Sequence, residues 1–140
     1  MLNLTLFGLD LAPLYAAIAK VESDRVAAFA NVYHLRKIYV NDVNRIRKAI
    51  DPTLFPYVWA ETVSPRTSER MMYVYWQHWG RHYEEKSHKP VSYEVLARIH
   101  NGGPLGWKKP STVAYWNRVA AVLATQTQAD IDAWMKGGER

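Results

Sequence analysis

One segment of the sequence constrains the fold more than any other, because it predicts a long helix with one buried face. Ser64-Pro65 is a strong helix start, since serine is a favoured N-cap and proline is favoured at the first helical position. Helical spacing is then kept up to about Glu85. The apolar stripe along this segment consists of Met71, Met72, Tyr75, Trp76, Trp79 and Tyr83.

Similar signals predict helices on both sides of this one. Asp10 can cap a helix that carries an apolar stripe to Val21, and Ser92 can cap a helix through Ile99. No segment alternates as a strand would, so we expect an all-α, single-domain fold over 1–140 with five to seven helices. The other predicted helices are 38–50, one that starts at Pro110-Ser111, and a short one near 129–135 that ends at Gly137-Gly138.

Between these helices the sequence predicts three connections. Residues 23–36 show no regular pattern, and 51–63 is expected to be a loop with buried aromatic side chains at Phe55, Tyr57 and Trp59. The segment HNGGPLG at 100–106 must break a helix, because two glycines and a proline fall within four residues.

Composition limits the classes of partner. The formal net charge is +5, which favours anionic partners such as a bacterial envelope. Basic residues are spread along the chain instead of forming one stripe, so we expect no nucleic-acid partner. No stretch reaches the roughly 18 apolar residues of a membrane span, so we expect no stable membrane insertion.

The same survey predicts neither a cofactor nor a metal. There is no cysteine, which excludes disulfides and thiolate metal sites. His78 and His82 are four residues apart, but they lack the flanking glutamate of the zinc-protease pattern. The first twenty residues have no basic n-region and no small-residue cleavage site, so we expect a protein made in the cytoplasm without a signal peptide.

Glu22 is the candidate catalytic residue. It closes the apolar stretch AAIAKVES one turn after Ile18, and an apolar side disfavours the charged form of a carboxyl group, as a general acid requires. The alternative is an exposed carboxylate at a helix end that Ser23 caps. Farther along the chain, the glycines of 100–106 would let the backbone approach a ligand, or form an ordinary turn.

Four segments in this order carry a family resemblance that covers roughly residues 14–123. They are VES at 21–23, IYVNDVNRI at 38–46, SERMMYVYWQHW at 68–79 and ARIHNGGPLGWKKPSTVAYWNRV at 97–119. This chain resembles the lysozyme-like superfamily, near goose-type lysozymes and soluble lytic transglycosylases. It is most similar to a small bacterial and phage group within that superfamily.

The resemblance implies a peptidoglycan-cleaving enzyme on a lysozyme-like fold with a substrate cleft. Members of the family cleave the β-1,4 bond between N-acetylmuramic acid and N-acetylglucosamine. By this resemblance Glu22 is the general acid, Ser23 follows it as in the family, and Tyr115 is the tyrosine that lies close to the glutamate. The aromatic-asparagine loop that binds the sugar corresponds to His100, Asn101 and Gly102.

The chain departs from the family pattern after Ser23. About seven residues are missing before a glycine-hydrophobic-hydrophobic-glutamine motif, in which Asn31 replaces the glycine and His34 the glutamine. Ser64 stands where an aspartate often starts the helix. By the alignment His34 faces the cleft, where it could bond a sugar acetamide.

The resemblance leaves open two reactions, hydrolysis and transglycosylation, and two roles, a lytic enzyme and a binding protein. Glycoside hydrolysis normally uses two carboxylates, whereas in a lytic transglycosylase one glutamate is acid and then base, and the muramyl 6-hydroxyl replaces water. We expect a phage endolysin or virion-associated lysin that acts on peptidoglycan strands after release or export, with virion or secretion-system partners possible. The alternative is a catalytically impaired binding or structural protein on the same fold. Candidates for a second carboxylate are Asp24, Asp42, Asp51 and Glu61.

Overall fold

Six α-helices make up most of the part of the chain that the structure, a computed structural model, describes, which is residues 2–23 and 31–137. The all-α fold class predicted from the sequence is therefore confirmed. None of these helices is both long enough and apolar enough to cross a membrane. The helices are α1 (Ala12–Ser23), α2 (Lys37–Ile50), α3 (Pro65–Ser87), α4 (Tyr93–Gly102), α5 (Val113–Thr125) and α6 (Gln128–Gly137).

Three of the predicted helix starts are confirmed by their caps. The Ser64 hydroxyl accepts a hydrogen bond from the Thr67 N–H at 3.3 Å, and the Ser92 hydroxyl accepts one from the Val95 N–H at 3.3 Å. The Asp10 carboxylate accepts the Ala12 N–H at 3.1 Å in the same way. Each bond satisfies a backbone donor that the first helical turn leaves free, so local sequence marks where these helices begin. The predicted end of α6 at Gly138 falls outside the described residues.

A short antiparallel hairpin precedes α1, which corrects the expectation that the sequence contains no strand. Its strands are β1 (Thr5–Leu6) and β2 (Leu9–Asp10), joined by Phe7 and Gly8. Both joining residues have positive φ, 51° and 74°, as a tight two-residue hairpin turn requires. Two residues per strand are too few for an alternating pattern. The Phe7 ring packs where Gly80 of α3 leaves room, since a Cβ at Gly80 would lie 2.5 Å from that ring.

The connection 51–63 is less buried than predicted. Phe55 is 90% exposed and Trp59 is 46% exposed, so the expectation of buried rings at these two positions was wrong. Tyr57 alone is half-buried, under the guanidinium of Arg47 at 4.2 Å. The loop is held instead by polar bonds, because the Asn44 side chain both donates to and accepts from the Tyr57 backbone at 2.8 Å.

The hydrophobic core lies where α1, α3, α4 and α5 meet. Trp76 of α3 is fully buried at its centre, and its indole N–H donates to the Leu96 carbonyl at 2.9 Å. The Tyr15 ring of α1 stacks on Trp76 at 5.4 Å between ring centroids. These contacts align the ends of α1 and α4 on one side of the molecule.

A buried carboxylate, Glu69 of α3, joins four parts of the chain. Its side chain is fully buried and accepts bonds from Arg66, Tyr33 and Trp134, the last at 3.1 Å. Its backbone carbonyl accepts the Tyr15 hydroxyl at 3.1 Å. Burial raises the pKa of Glu69, and the donors of Tyr33 and Arg66 oppose that rise. The charge is tolerated only because its donors are present.

We expect Glu69→Ala to lower the free energy of unfolding by about 3–5 kcal/mol, because it leaves the Arg66 guanidinium and the Tyr33 hydroxyl without their buried partner. Urea denaturation followed by circular dichroism measures the change. Glu85→Ala, at an exposed position of the same helix, is the matched control and should stay within about 0.5 kcal/mol of the wild type. Equal losses in the two variants would show that the network contributes nothing specific.

Candidate functional site

A cleft of about 680 Å³ runs along the side of the molecule where α1 and α4 end. The turn before α2, the first turns of α2 and the middle of α3 complete its walls. Residues that are distant in sequence meet here. Five of the seven site residues predicted from the sequence line it, namely Glu22, His34, His100, Asn101 and Gly102.

Glu22 lies in the last turn of α1 and is only 4% exposed. Ile18, one turn earlier, is fully buried and faces the core from the same helix. The exposed helix-end carboxylate that the sequence left open is therefore not what the structure places here. A buried carboxyl in a cleft wall can give a proton to a bound substrate while the apolar side keeps bulk water away.

His100 forms part of the cleft floor and is held in one tautomer. Its Nε2 donates to the Tyr33 carbonyl at 3.0 Å, and a carbonyl can only accept, so Nε2 carries the proton. Nδ1, which lies 3.5 Å from the Tyr39 hydroxyl, is left as an acceptor. Burial lowers the pKa of His100 to about 4, the bond to Tyr33 opposes that shift and the nearby His34 adds to it. His100 is therefore neutral at ordinary pH.

The break after α4 begins later than the sequence predicted. His100, Asn101 and Gly102 still belong to the last helical turn, and the chain leaves the helix at Gly103, whose φ is 90°. Gly102 packs closely on Thr112, since a Cβ at Gly102 would lie 2.4 Å from the Thr112 methyl group. The Asn101 side chain is exposed at this end of the cleft.

The tyrosine and serine of the prediction lie away from the cleft surface. Tyr115 of α5 is 2% exposed, and its ring packs behind His100 at 6.5 Å between centroids. Ser23 is exposed beside a second groove of about 460 Å³ between α1, α5 and α6, and its hydroxyl donates to the Lys20 carbonyl at 3.1 Å. The structure therefore groups Ser23 with a different surface from Glu22.

His34 enters the cleft from a tightly braced turn. Its φ is 55°, an uncommon conformation for a residue with a side chain, and its side chain is exposed. The Asn31 side chain accepts from the Leu35 N–H at 3.0 Å and donates to the Leu35 carbonyl at 2.9 Å. The indole of Trp59 donates to the same carbonyl at 2.9 Å.

Asp42 is the one candidate for a second carboxylate that lies in the cleft, among the candidates that the structure describes. It accepts the indole N–H of Trp79 at 2.9 Å on one oxygen and Nε of Arg45 at 3.0 Å on the other. Asp51 instead accepts bonds from Thr53, which hold its pKa below the usual range, and Glu61 accepts the Val58 N–H. Asp24 lies outside the described residues.

Sequence reasoning did not assign the aromatic and basic lining to the cleft. Tyr39 and Tyr75 stack at 3.9 Å between centroids, and Trp79 lies at 6.5 Å from Tyr75. Arg36 and Lys109 add positive charge at the two sides. The helical spacing of Tyr75 and Trp79 indicated only that they share a face of α3.

Nothing in the described ranges forms a group of three or more histidine, aspartate or glutamate side chains that could hold a metal ion. His78 and His82 of α3 both pack edge-on against Trp79, at 4.6 and 5.6 Å between centroids.

The chain is similar over short stretches to proteins named lysozyme. One from Meretrix lusoria is 44% identical over 46 residues, which is 33% of this chain and 38% of that protein, and one from Magallana gigas is 57% identical over 30 residues, 21% and 22%. Invertebrate-type lysozyme 6 of Caenorhabditis elegans is 58% identical over 26 residues, 19% of each chain. The chain thus spans less than two-fifths of the length of these relatives.

These local matches support a relationship to lysozymes. No protein-family model matches the chain, and no solved structure matches it. The finer placement near goose-type lysozymes and lytic transglycosylases stays a prediction.

We expect Gly106→Ala to destabilise the turn that supports the end of α4. A Cβ at Gly106 would lie 2.0 Å from the Arg98 carbonyl oxygen, and backbone atoms cannot swing aside as a side-chain end can. The loss should be about 2–3 kcal/mol in urea denaturation. Gly137→Ala is the control, since no atom lies within 4 Å of a Cβ there. A loss no larger than that of the control would contradict the close approach.

We expect the protein to lose stability between pH 6.5 and pH 4 because His100 stays neutral when folded. The unfolded imidazole takes up a proton near pH 6.5, whereas the folded one does so near pH 4, so the unfolded state binds more protons in this window. The contribution is on the order of 3 kcal/mol, fully present above pH 6.5 and lost as pH falls to 4. In His100→Gln this pH-dependent part should be absent. NMR titration of the His100 ring checks the premise, and a midpoint near 6.5 would refute it.

Proposed function

We propose that the chain is a member of the lysozyme family and a glycosidase that cleaves the β-1,4 bond between N-acetylmuramic acid and N-acetylglucosamine in peptidoglycan. The observation that carries this proposal is a buried carboxyl, Glu22, in the wall of a cleft whose floor is the end of α4. The local similarity to lysozymes supports the same reaction. The cleft has a volume of about 680 Å³ and an aromatic lining, as a site for sugar rings needs.

Glu22 acts in this proposal as the general acid. Its proton goes to the glycosidic oxygen, so that the leaving sugar departs as an alcohol and positive charge develops on the muramyl ring. The neutral His100 and the backbone of Asn101 and Gly102 hold the sugar beside it. His100 does not compete with Glu22 for the role of proton donor, because it is not protonated to imidazolium at ordinary pH.

Two outcomes share this first step. In a muramidase, water attacks the anomeric carbon, and a second carboxylate assists it. In a lytic transglycosylase, the deprotonated Glu22 takes the proton of the muramyl 6-hydroxyl, which attacks instead. Both oxygens of Asp42 already accept bonds from Trp79 and Arg45, which favours the reaction with one working carboxyl group.

The setting that we propose is a phage endolysin or virion-associated lysin, made in the cytoplasm and delivered to the wall by a holin, a virion or export machinery. A formal charge of +5 would help such a protein meet an anionic wall.

A second candidate function is glycan binding without turnover. It is favoured by the altered wall after Ser23, where His34 places an imidazole in the cleft and Asn31 braces its turn. This candidate predicts retention of glycan strands without release of soluble fragments.

We expect Glu22→Gln to abolish clearing of purified peptidoglycan in a zymogram, with a loss of at least about a hundredfold in rate, since the amide cannot supply the proton. The matched control is Glu85→Gln on the exposed face of α3, which should clear as the wild type does. Circular dichroism of both variants shows whether they are folded. Clearing that persists in folded Glu22→Gln would remove Glu22 from the role of acid.

Mass spectrometry of the wild-type products decides between the outcomes. Anhydro-muramyl ends identify a transglycosylase, reducing ends identify a muramidase, and bound glycan with no products identifies the binding protein.

A further inference from the structure

We propose that His34 and Arg36 form a carboxylate-binding site on one rim of the cleft, which selects glycan strands that carry muramic acid over neutral ones. This inference rests on the proposed function, since it names the feature of the substrate that the same cleft recognises. The two side chains are two positions apart on the turn that leads into α2, and both line the cleft.

The first step of the argument is the charge of the cleft. Its lining includes three cations, Arg36, Arg45 and Lys109. Arg45 is bonded to Asp42, and the Lys109 ammonium donates to the Gly102 carbonyl at 2.7 Å. The Arg36 side chain is exposed and makes no polar contact with any residue that the structure describes. One guanidinium thus faces the cleft with its donors available.

The second step is the support of this rim. Tyr33 is fully buried. Its hydroxyl donates a hydrogen bond to the Glu69 carboxylate, and its carbonyl accepts one from His100. Asn31 closes the turn onto Leu35 through two hydrogen bonds. His34 lies between these anchors and Arg36 directly after them, so both exposed side chains extend from a backbone that hydrogen bonds hold in place.

The third step is the chemistry of the substrate. N-acetylglucosamine carries no charge, whereas muramic acid carries a lactyl group that ends either in a free carboxylate or in a peptide that bears carboxylates. A guanidinium binds a carboxylate with two parallel hydrogen bonds, and an imidazole can add a third donor. His34 also lies near enough to His100 to affect its protonation, so the rim adjoins the cleft floor.

The test measures affinity in full-length Glu22→Gln protein, which holds a glycan without cleaving it under the proposed function. Calorimetry compares three ligands of equal length: a neutral chito-oligosaccharide, a muramyl oligosaccharide freed of peptide, and one that keeps its peptides. We expect the muramyl ligands to bind at least about tenfold more tightly than the neutral one at low salt, and the preference to shrink as salt rises. A preference for both muramyl ligands assigns the lactyl position, and a preference only for the third assigns the peptide carboxylates.

Added to this background, Arg36→Gln should reduce the preference about tenfold and His34→Gln less. The matched control is Lys48→Gln, which removes one exposed positive charge from α2 outside the cleft and should leave the preference unchanged. Equal preferences in Arg36→Gln and Lys48→Gln, or none in the starting protein, would overturn the carboxylate site. Since these are affinities, they stand whether or not the wild type cleaves peptidoglycan, so a failure of the proposed function is seen separately in the wild-type digest.

Discussion

The buried carboxylate of Glu69 is the interaction on which the rest of the structure depends. Its oxygens accept bonds from Arg66, Tyr33 and Trp134. One side chain therefore joins three parts of the chain: α3, α6 and the turn that precedes α2. A carboxylate in this position would be costly without donors on every side. Tyr33 links Glu69 to the cleft, because its carbonyl accepts the Nε2–H of His100. The stability of the fold and the geometry of the cleft floor thus share one residue.

Hydrogen bonds also fix the backbone on either side of Tyr33, which forms the rim of the cleft. The Asn31 side chain forms two hydrogen bonds with the Leu35 backbone. His34 lies between Tyr33 and Leu35, and it has a left-handed backbone conformation and an exposed side chain. Such a conformation persists only where the neighbouring backbone is fixed by other contacts. Arg36 follows directly, at the start of α2. Residues 31–36, which include the replacements Asn31 and His34, therefore form a supported wall of the cleft.

Local sequence signals predict the helices, whereas contacts between distant segments determine the features that the sequence did not predict. The caps Ser64 and Ser92 act on N–H groups three residues away, so each helix start is encoded in its own neighbourhood. Glu22 and the end of α4 line the same cleft, which only the family resemblance, and no local pattern, had led us to expect. The exposure of Phe55 and the bonding of Glu69 depend on segments far away in the chain, which no periodicity describes.

The neutral state of His100 removes a positive charge that would oppose a protonated carboxyl group in this cleft. An imidazolium on the floor would favour the ionised form of any carboxyl group in the same wall, and an ionised Glu22 has no proton to give. Burial and the bond to the Tyr33 carbonyl keep the imidazole uncharged. Positive charge lies instead on exposed side chains, Arg36 on the rim and Lys109 beside the Gly102 carbonyl, where water screens it. The cleft therefore combines an uncharged imidazole in its floor with exposed cations that can meet an anionic substrate.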